Sequence, residues 1–240
     1  MTTTLFLGYL VLIAGMVVVV AFRYLARRTA WRIAIGLLGW LLYVGALGAL
    51  GVLRNAALKP PGSAFVLLPV ASFLVLVAIR SPAAARVALA IPLPLLIGGQ
   101  VFRVGVELFF HQLWIDGLVP RMLTFEGANV DIFIGLSAPL AAWIVTRGVA
   151  GLRVALAWNI LGLLALGNVA TRAILSAPGP LNIIHAEIPN LSIGTFPFVY
   201  IAAFFAPLAV TIHILTIRAL ARQPSPASSS MRLDRKIQRP

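Results

Sequence analysis

Gln100, Arg103, Glu107 and His111 stand at i, i+3, i+7 and i+11. At roughly 100° per residue they fall within a stripe about 80° wide on one helix face. A guanidinium, a carboxylate and an imidazole aligned in this way can form ion pairs, hold a small polar ligand or move a proton. Glu107 and His111 also have the i,i+4 spacing of two metal ligands on one helix. The residues between them are apolar, and an ionisable group at membrane depth costs at least about 2.5 kcal/mol. Such groups are expected to face the interior of a bundle and to pair with one another, and Arg103 and Glu107 are the expected pair. The stripe then either locks helices together or lines a ligand or ion site.

Downstream, Glu126, Asn129 and Asp131 crowd into the segment where the chain returns to apolar sequence. Thr124 or Asn129 has a side chain able to cap the helix that follows, and Asp131 near its start gains from the helix dipole. Asn168 and Arg172, four apart in a later apolar run, complete a candidate ligand-binding set of Gln100, Arg103, Glu107, Glu126, Asn129, Asp131, Asn168 and Arg172. His111, Asn159 and His213 are secondary candidates. A lone histidine on an apolar helix, such as His213, is expected to bond a neighbouring helix. No metal site is assigned, because His185 falls in a loop and His213 about eighteen residues into a span. No cofactor is named by any motif.

The elements that must position these groups are membrane helices. Of 240 residues, 61% are hydrophobic and 10% charged, whereas a soluble domain runs near half apolar and a quarter charged. Apolar runs cover approximately 4–22, 33–53, 64–79, 84–115, 131–146, 153–175 and 195–217. A bilayer core of about 30 Å takes roughly 20 apolar residues per helix, so seven spans are expected. These runs do not alternate as barrel strands do, and backbone hydrogen bonding in lipid then requires helices. The reading is an all-α transmembrane domain over residues 1–222 and a disordered basic tail over 223–240, where Pro and Ser precede Arg232, Arg235, Lys236 and Arg239.

The net charge of +13 is not a nucleic-acid signature, since the basic residues sit in short clusters between apolar runs. Placing alternate loops in the cytoplasm puts 14 of the 19 there. The positive-inside rule then predicts the N-terminus outside and the C-terminus inside, in a bacterial inner membrane. Basic residues follow the first run rather than precede it, so it reads as a retained helix and not a cleaved leader. Under this topology Glu107, Asp116, Glu126, Asp131 and Glu187 all lie outside or in an outer half-span, which predicts a mixed-charge pocket opening outward.

Gly45, Gly48, Ala49 and Gly51, with Gly162 and Gly167, permit close helix packing, and Pro92 and Pro94 are expected to kink the fourth segment. No internal repeat stands out. A retinal protein needs a lysine inside the bundle, and the only lysines, Lys59 and Lys236, lie in a loop and in the tail. Channel filters are likewise without a counterpart. The absence of cysteine excludes disulfides and thiolate chemistry.

The stretch from Gln100 to Arg218 resembles an uncharacterised family of bacterial seven-span membrane proteins. The matching pieces are Arg103-Val104-Gly105-Val106-Glu107, the run Thr124-Phe125-Glu126-Gly127-Ala128-Asn129-Val130-Asp131, Trp158-Asn159, Ser176-Ala177-Pro178-Gly179-Pro180, Phe196-Pro197-Phe198 and His213. The resemblance implies that Arg103, Glu107, Glu126, Asn129, Asp131 and His213 belong to one shared core, and it implies no reaction. Members often carry His where this chain has Gln100, and His111 and His185 fall outside the pattern, which weighs against metal. The expectation is a bilayer-embedded protein that binds a small polar or amphiphilic molecule, or an ion, as sensor, carrier or accessory subunit. A membrane enzyme using Glu107, Glu126 or Asp131 as general base or metal ligand is the alternative, and a ligand-free packing subunit the third. Oligomeric state is not encoded in any motif.

Overall fold

The structure is a computed structural model that describes residues 2–55 and 58–222. The expected basic tail lies outside the described residues.

Among the described residues all regular structure is helical. The helices are α1 (Thr2–Tyr24), α2 (Arg27–Ala49), α3 (Ala64–Ser72), α4 (Pro82–Ala90), α5 (Leu93–Gly99), α6 (Phe102–Ile115), α7 (Asp131–Ile144), α8 (Gly148–Leu175) and α9 (Ala206–Leu220). Short π-helical stretches, Phe73–Ile79 and Ile201–Phe205, extend α3 and precede α9. Five helical segments are long and apolar enough to cross a membrane: α1, α2, Leu93–Ile115, α8 and Ile201–Leu220. The bent pair Ala64–Ile79 with Pro82–Ala90 makes a sixth if it counts as one broken span, and α7 is a shorter apolar helix. Large apolar side chains such as Val11, Val19, Ile35, Leu42 and Leu164 point outward, as a lipid-facing surface requires.

The expected fourth segment of 84–115 is not one element. The chain breaks at Ile91, which is extended because Pro92 disfavours helix in the residue before it, and Pro94 sits in the first turn of α5, where its missing amide costs nothing. Its first part, α4, instead joins α3 across a 69° bend. Ser81 accepts from the Ala83 amide to start α4. Arg218 on α9 donates to the carbonyls of Ala78, Ile79 and Ser81 at 2.6–2.9 Å, satisfying acceptors that the bend leaves free.

Two other breaks are repaired from α2. Pro207 has no amide to offer the carbonyl of Ala203, and the Trp40 indole donates to it at 2.8 Å. Pro69 frees the Phe65 carbonyl in the same way, and the Tyr43 hydroxyl takes it at 3.1 Å. In lipid such substitutes are needed, since an unsatisfied carbonyl there costs several kcal/mol.

The core is aromatic where α1, α6 and the segment before α9 meet. Phe6 packs edge-to-face on Phe109, Phe198 and Phe205 with ring centroids 5.1–5.7 Å apart. The Tyr9 hydroxyl donates to the Phe102 carbonyl, and Gly105 leaves room for its ring. Gly45 and Gly48 admit Tyr200 and Phe196, and Gly162 admits the His213 ring. Gly167 by contrast faces open space, and Gly51 ends its helix at a left-handed φ of 70°.

Candidate functional site

α6 turns Arg103 and Glu107 inward, toward α7 and α9, while Gln100 ends α5 and His111 is partly exposed. Gly135 lets α7 approach the backbone of Val104, so that Asp131 at the start of α7 reaches Arg103. Their charged ends form a buried ion pair. The expected Arg103–Glu107 pair does not form. Residues four apart on a helix are neighbours, but the guanidinium turns away from Glu107 toward α7 and α9.

Arg103 Nη1 lies 3.0 Å from His213 Nε2, and His213 Nδ1 lies 2.9 Å from Asn159 Oδ1. A guanidinium can only donate. His213 Nε2 therefore accepts, and the ring proton sits on Nδ1 and donates to Asn159. Asn159 Nδ2 closes the chain on the Ala155 carbonyl at 2.7 Å. His213 thus bonds two neighbouring helices, α6 and α8, as expected of a lone histidine. Trp158 borders it at 5.5 Å between ring centroids.

Glu107 has a different partner. Asn129 Nδ2 donates to Glu107 Oε2 at 2.7 Å and to the Leu123 carbonyl at 2.9 Å, while Asn129 Oδ1 accepts from the Asp131 amide at 2.9 Å. One amide side chain therefore holds Glu107, the preceding loop and the first turn of α7. Asn129, rather than Thr124, serves the start of that helix, and the Thr124 hydroxyl donates to the Arg121 carbonyl instead. Gln100 Nε2 donates to the Ala209 carbonyl at 3.0 Å, tying α5 to α9.

Gln100, Arg103, Glu107, Asn129, Asp131, Asn159 and His213 are each no more than 4% exposed. The expectation of a pocket open to the outside is corrected here: this cluster is closed. Arg103 Nε and Gln100 Oε1, one donor and one acceptor, have no hydrogen-bond partner among the described residues.

The remaining candidates lie elsewhere. Glu126 is half-exposed beside His111 at 3.6 Å, and the His111 ring stacks on Phe125. Asn168 Nδ2 donates to the Ala128 carbonyl at 2.8 Å, and its Oδ1 accepts from Arg172 Nε at 2.9 Å. That pair lines a surface groove on α8, apart from the buried cluster. Glu187 accepts from the Arg121 amide, and the Leu191 amide donates to the Leu118 carbonyl, so the two loops on this side of the bundle are joined. Asp116, Glu126 and Glu187 are exposed on them. Among the described residues no three His, Asp or Glu side chains converge as a metal-ligand group.

Sequence reasoning missed the backbone-satisfying roles of Trp40, Tyr43 and Arg218. The signal was present for two of them, since Pro69 and Pro207 mark by position which carbonyls lose a donor.

A family profile described as "Domain of unknown function (DUF8737)" matches residues 60–221. No curated protein and no solved structure matches the chain.

Proposed function

The chain belongs to this family of unknown function, and we propose that it is a polytopic bacterial inner-membrane protein that binds a small cation, inorganic or organic, in an occluded intramembrane site, as a carrier or sensor. The carrying observation is a charge count: two buried carboxylates, Asp131 and Glu107, stand against one guanidinium, and Asp131 takes it. Among the described residues Glu107 is bonded by the neutral Asn129 amide and by no cation. A buried carboxylate is costly without a counter-charge, which a proton or a cationic ligand can supply, and in this reading the ligand supplies it. Arg103 Nε and Gln100 Oε1, without partners among the described residues, are a further buried donor and acceptor in the same cluster.

Access is from the side carrying Asp116, Glu126 and Glu187. In the topology we favour, that side is extracytoplasmic. The five long helices, the bent α3–α4 pair and the shorter α7 make seven membrane segments, with the N-terminus outside. α7 is short because its Asp131 end starts below the surface, covered by the loop that Asn129 holds.

The test is thermal stability of the purified chain in mild detergent against a panel of small cations, with mass spectrometry of what co-purifies. A ligand at 100 times its Kd adds about 2.7 kcal/mol of stability. At least one cation is expected to raise the melting temperature, and Glu107→Gln to abolish that rise. A panel in which no cation raises the melting temperature, or cation stabilisation that survives in the Glu107→Gln variant, overturns the reading.

A further inference from the structure

The α8 groove holds a second constellation, apart from the buried cluster. α8 has 28 residues, about 42 Å at ~1.5 Å per residue, longer than a hydrocarbon core of about 30 Å. Arg172, in its last turn, therefore lies at a membrane surface whichever way the chain is oriented. Its guanidinium is aimed rather than loose. Asn168 is oriented by donating to the Ala128 carbonyl, which leaves its Oδ1 to accept from Arg172 Nε. Among the described residues both terminal nitrogens are left without an acceptor, and no carboxylate stands within ion-pair distance of Arg172.

From Arg172 the groove runs toward the middle of the helix. Gly167 forms its floor, and a side chain there would meet open space. Leu163 and Leu164 continue it, and Ile184 from the following loop walls the upper end. The amides of Ile183 and Ile184 both donate to the Leu175 carbonyl, which holds that loop against the helix end. Eight residues separate Leu164 from Arg172, about 12 Å along the axis. A cation at the surface with an apolar lane leading inward is the outline of one lipid molecule, headgroup first.

We propose that this groove binds an anionic phospholipid, with its phosphate on the Arg172 guanidinium and one acyl chain along Gly167, Leu164 and Leu163. The two terminal nitrogens match two non-bridging phosphate oxygens. A headgroup that carries its own cation, as phosphatidylcholine does, competes with Arg172 for that phosphate, whereas phosphatidylglycerol does not. Because Asn168 anchors Arg172 to Ala128, next to Asn129, an occupied groove braces the loop that closes the buried cluster.

Native mass spectrometry of the full chain, titrated with phosphatidylglycerol and phosphatidylcholine of the same acyl chains, tests this. Phosphatidylglycerol is expected to bind about tenfold more tightly, the worth of one charge-assisted contact. Arg172→Gln is expected to remove that preference. Gly167→Leu, whose side chain enters open space, is expected to keep the fold and weaken both lipids by filling the lane. Equal binding of the two lipids by the wild type, or a preference that survives Arg172→Gln, overturns the proposal. It fails too if inorganic phosphate displaces the lipid fully, which makes this a simple anion site, or if Gly167→Leu changes oligomeric state, which makes the face a contact between copies.

Discussion

At the scale of single residues, the exchange of partners around Arg103 determines what each substitution does. Asp131→Asn removes the counter-charge of a buried guanidinium and is expected to cost about 3–5 kcal/mol. A companion Arg103→Met is expected to restore part of it. Glu107→Gln has a milder expected effect on stability, because a glutamine oxygen still accepts from the Asn129 amide. Thermal unfolding of the two single variants and of the Arg103/Asp131 double variant checks the order. Equal losses for Asp131→Asn and Glu107→Gln would return Glu107 to the ion pair. His213→Leu leaves both Arg103 Nη1 and Asn159 Oδ1 without a partner, at about 1–3 kcal/mol each. His213→Gln, which keeps an acceptor and a donor, is expected to lose less.

At the scale of elements, small residues set how closely the helices carrying these groups can come. A methyl group at Gly162 would overlap the His213 ring, so Gly162→Ala is expected to destabilise by about 1–3 kcal/mol despite the better helix propensity of alanine. Gly167→Ala, facing open space on the same helix, is expected to be neutral or slightly stabilising. Melting temperatures of the pair separate packing from propensity, and a Gly162→Ala variant as stable as the wild type would mean that α8 and α9 stand further apart. The proline breaks show the same division of labour. Pro69 and Pro207 announce where backbone acceptors are freed, but only the packing of α2 shows that Tyr43 and Trp40 take them.

For the whole molecule, the decisive quantity is topology. A reporter fused after Gln223 is expected to be cytoplasmic and one inserted near Asn182 extracytoplasmic, because 14 of 19 basic residues then fall on one side. Both reporters on the same side would remove the seven-segment arrangement and the outward route to the buried cluster with it.

Composition and run length by themselves determined the class: helices, apolar on every side, too long and too many for a soluble core. They also placed Arg103, Glu107 and His111 on one helix and a kink at Pro92 and Pro94, since both depend on interactions within a few residues along one chain, but not the division of 84–115 into separate elements. Family membership follows from the chain as well, over residues 60–221. The tertiary structure decided what lies across helices. Helical spacing names the neighbours of Arg103 on α6, but the rotation and depth of α7, α8 and α9 determine that Asp131, His213 and, through it, Asn159 reach its side. The same rotation leaves Glu126 with His111 at the surface and turns Asn168 and Arg172 to the outer face of α8. Those choices come from where Gly135 and Gly162 allow close approach, and no spacing within a single helix encodes them.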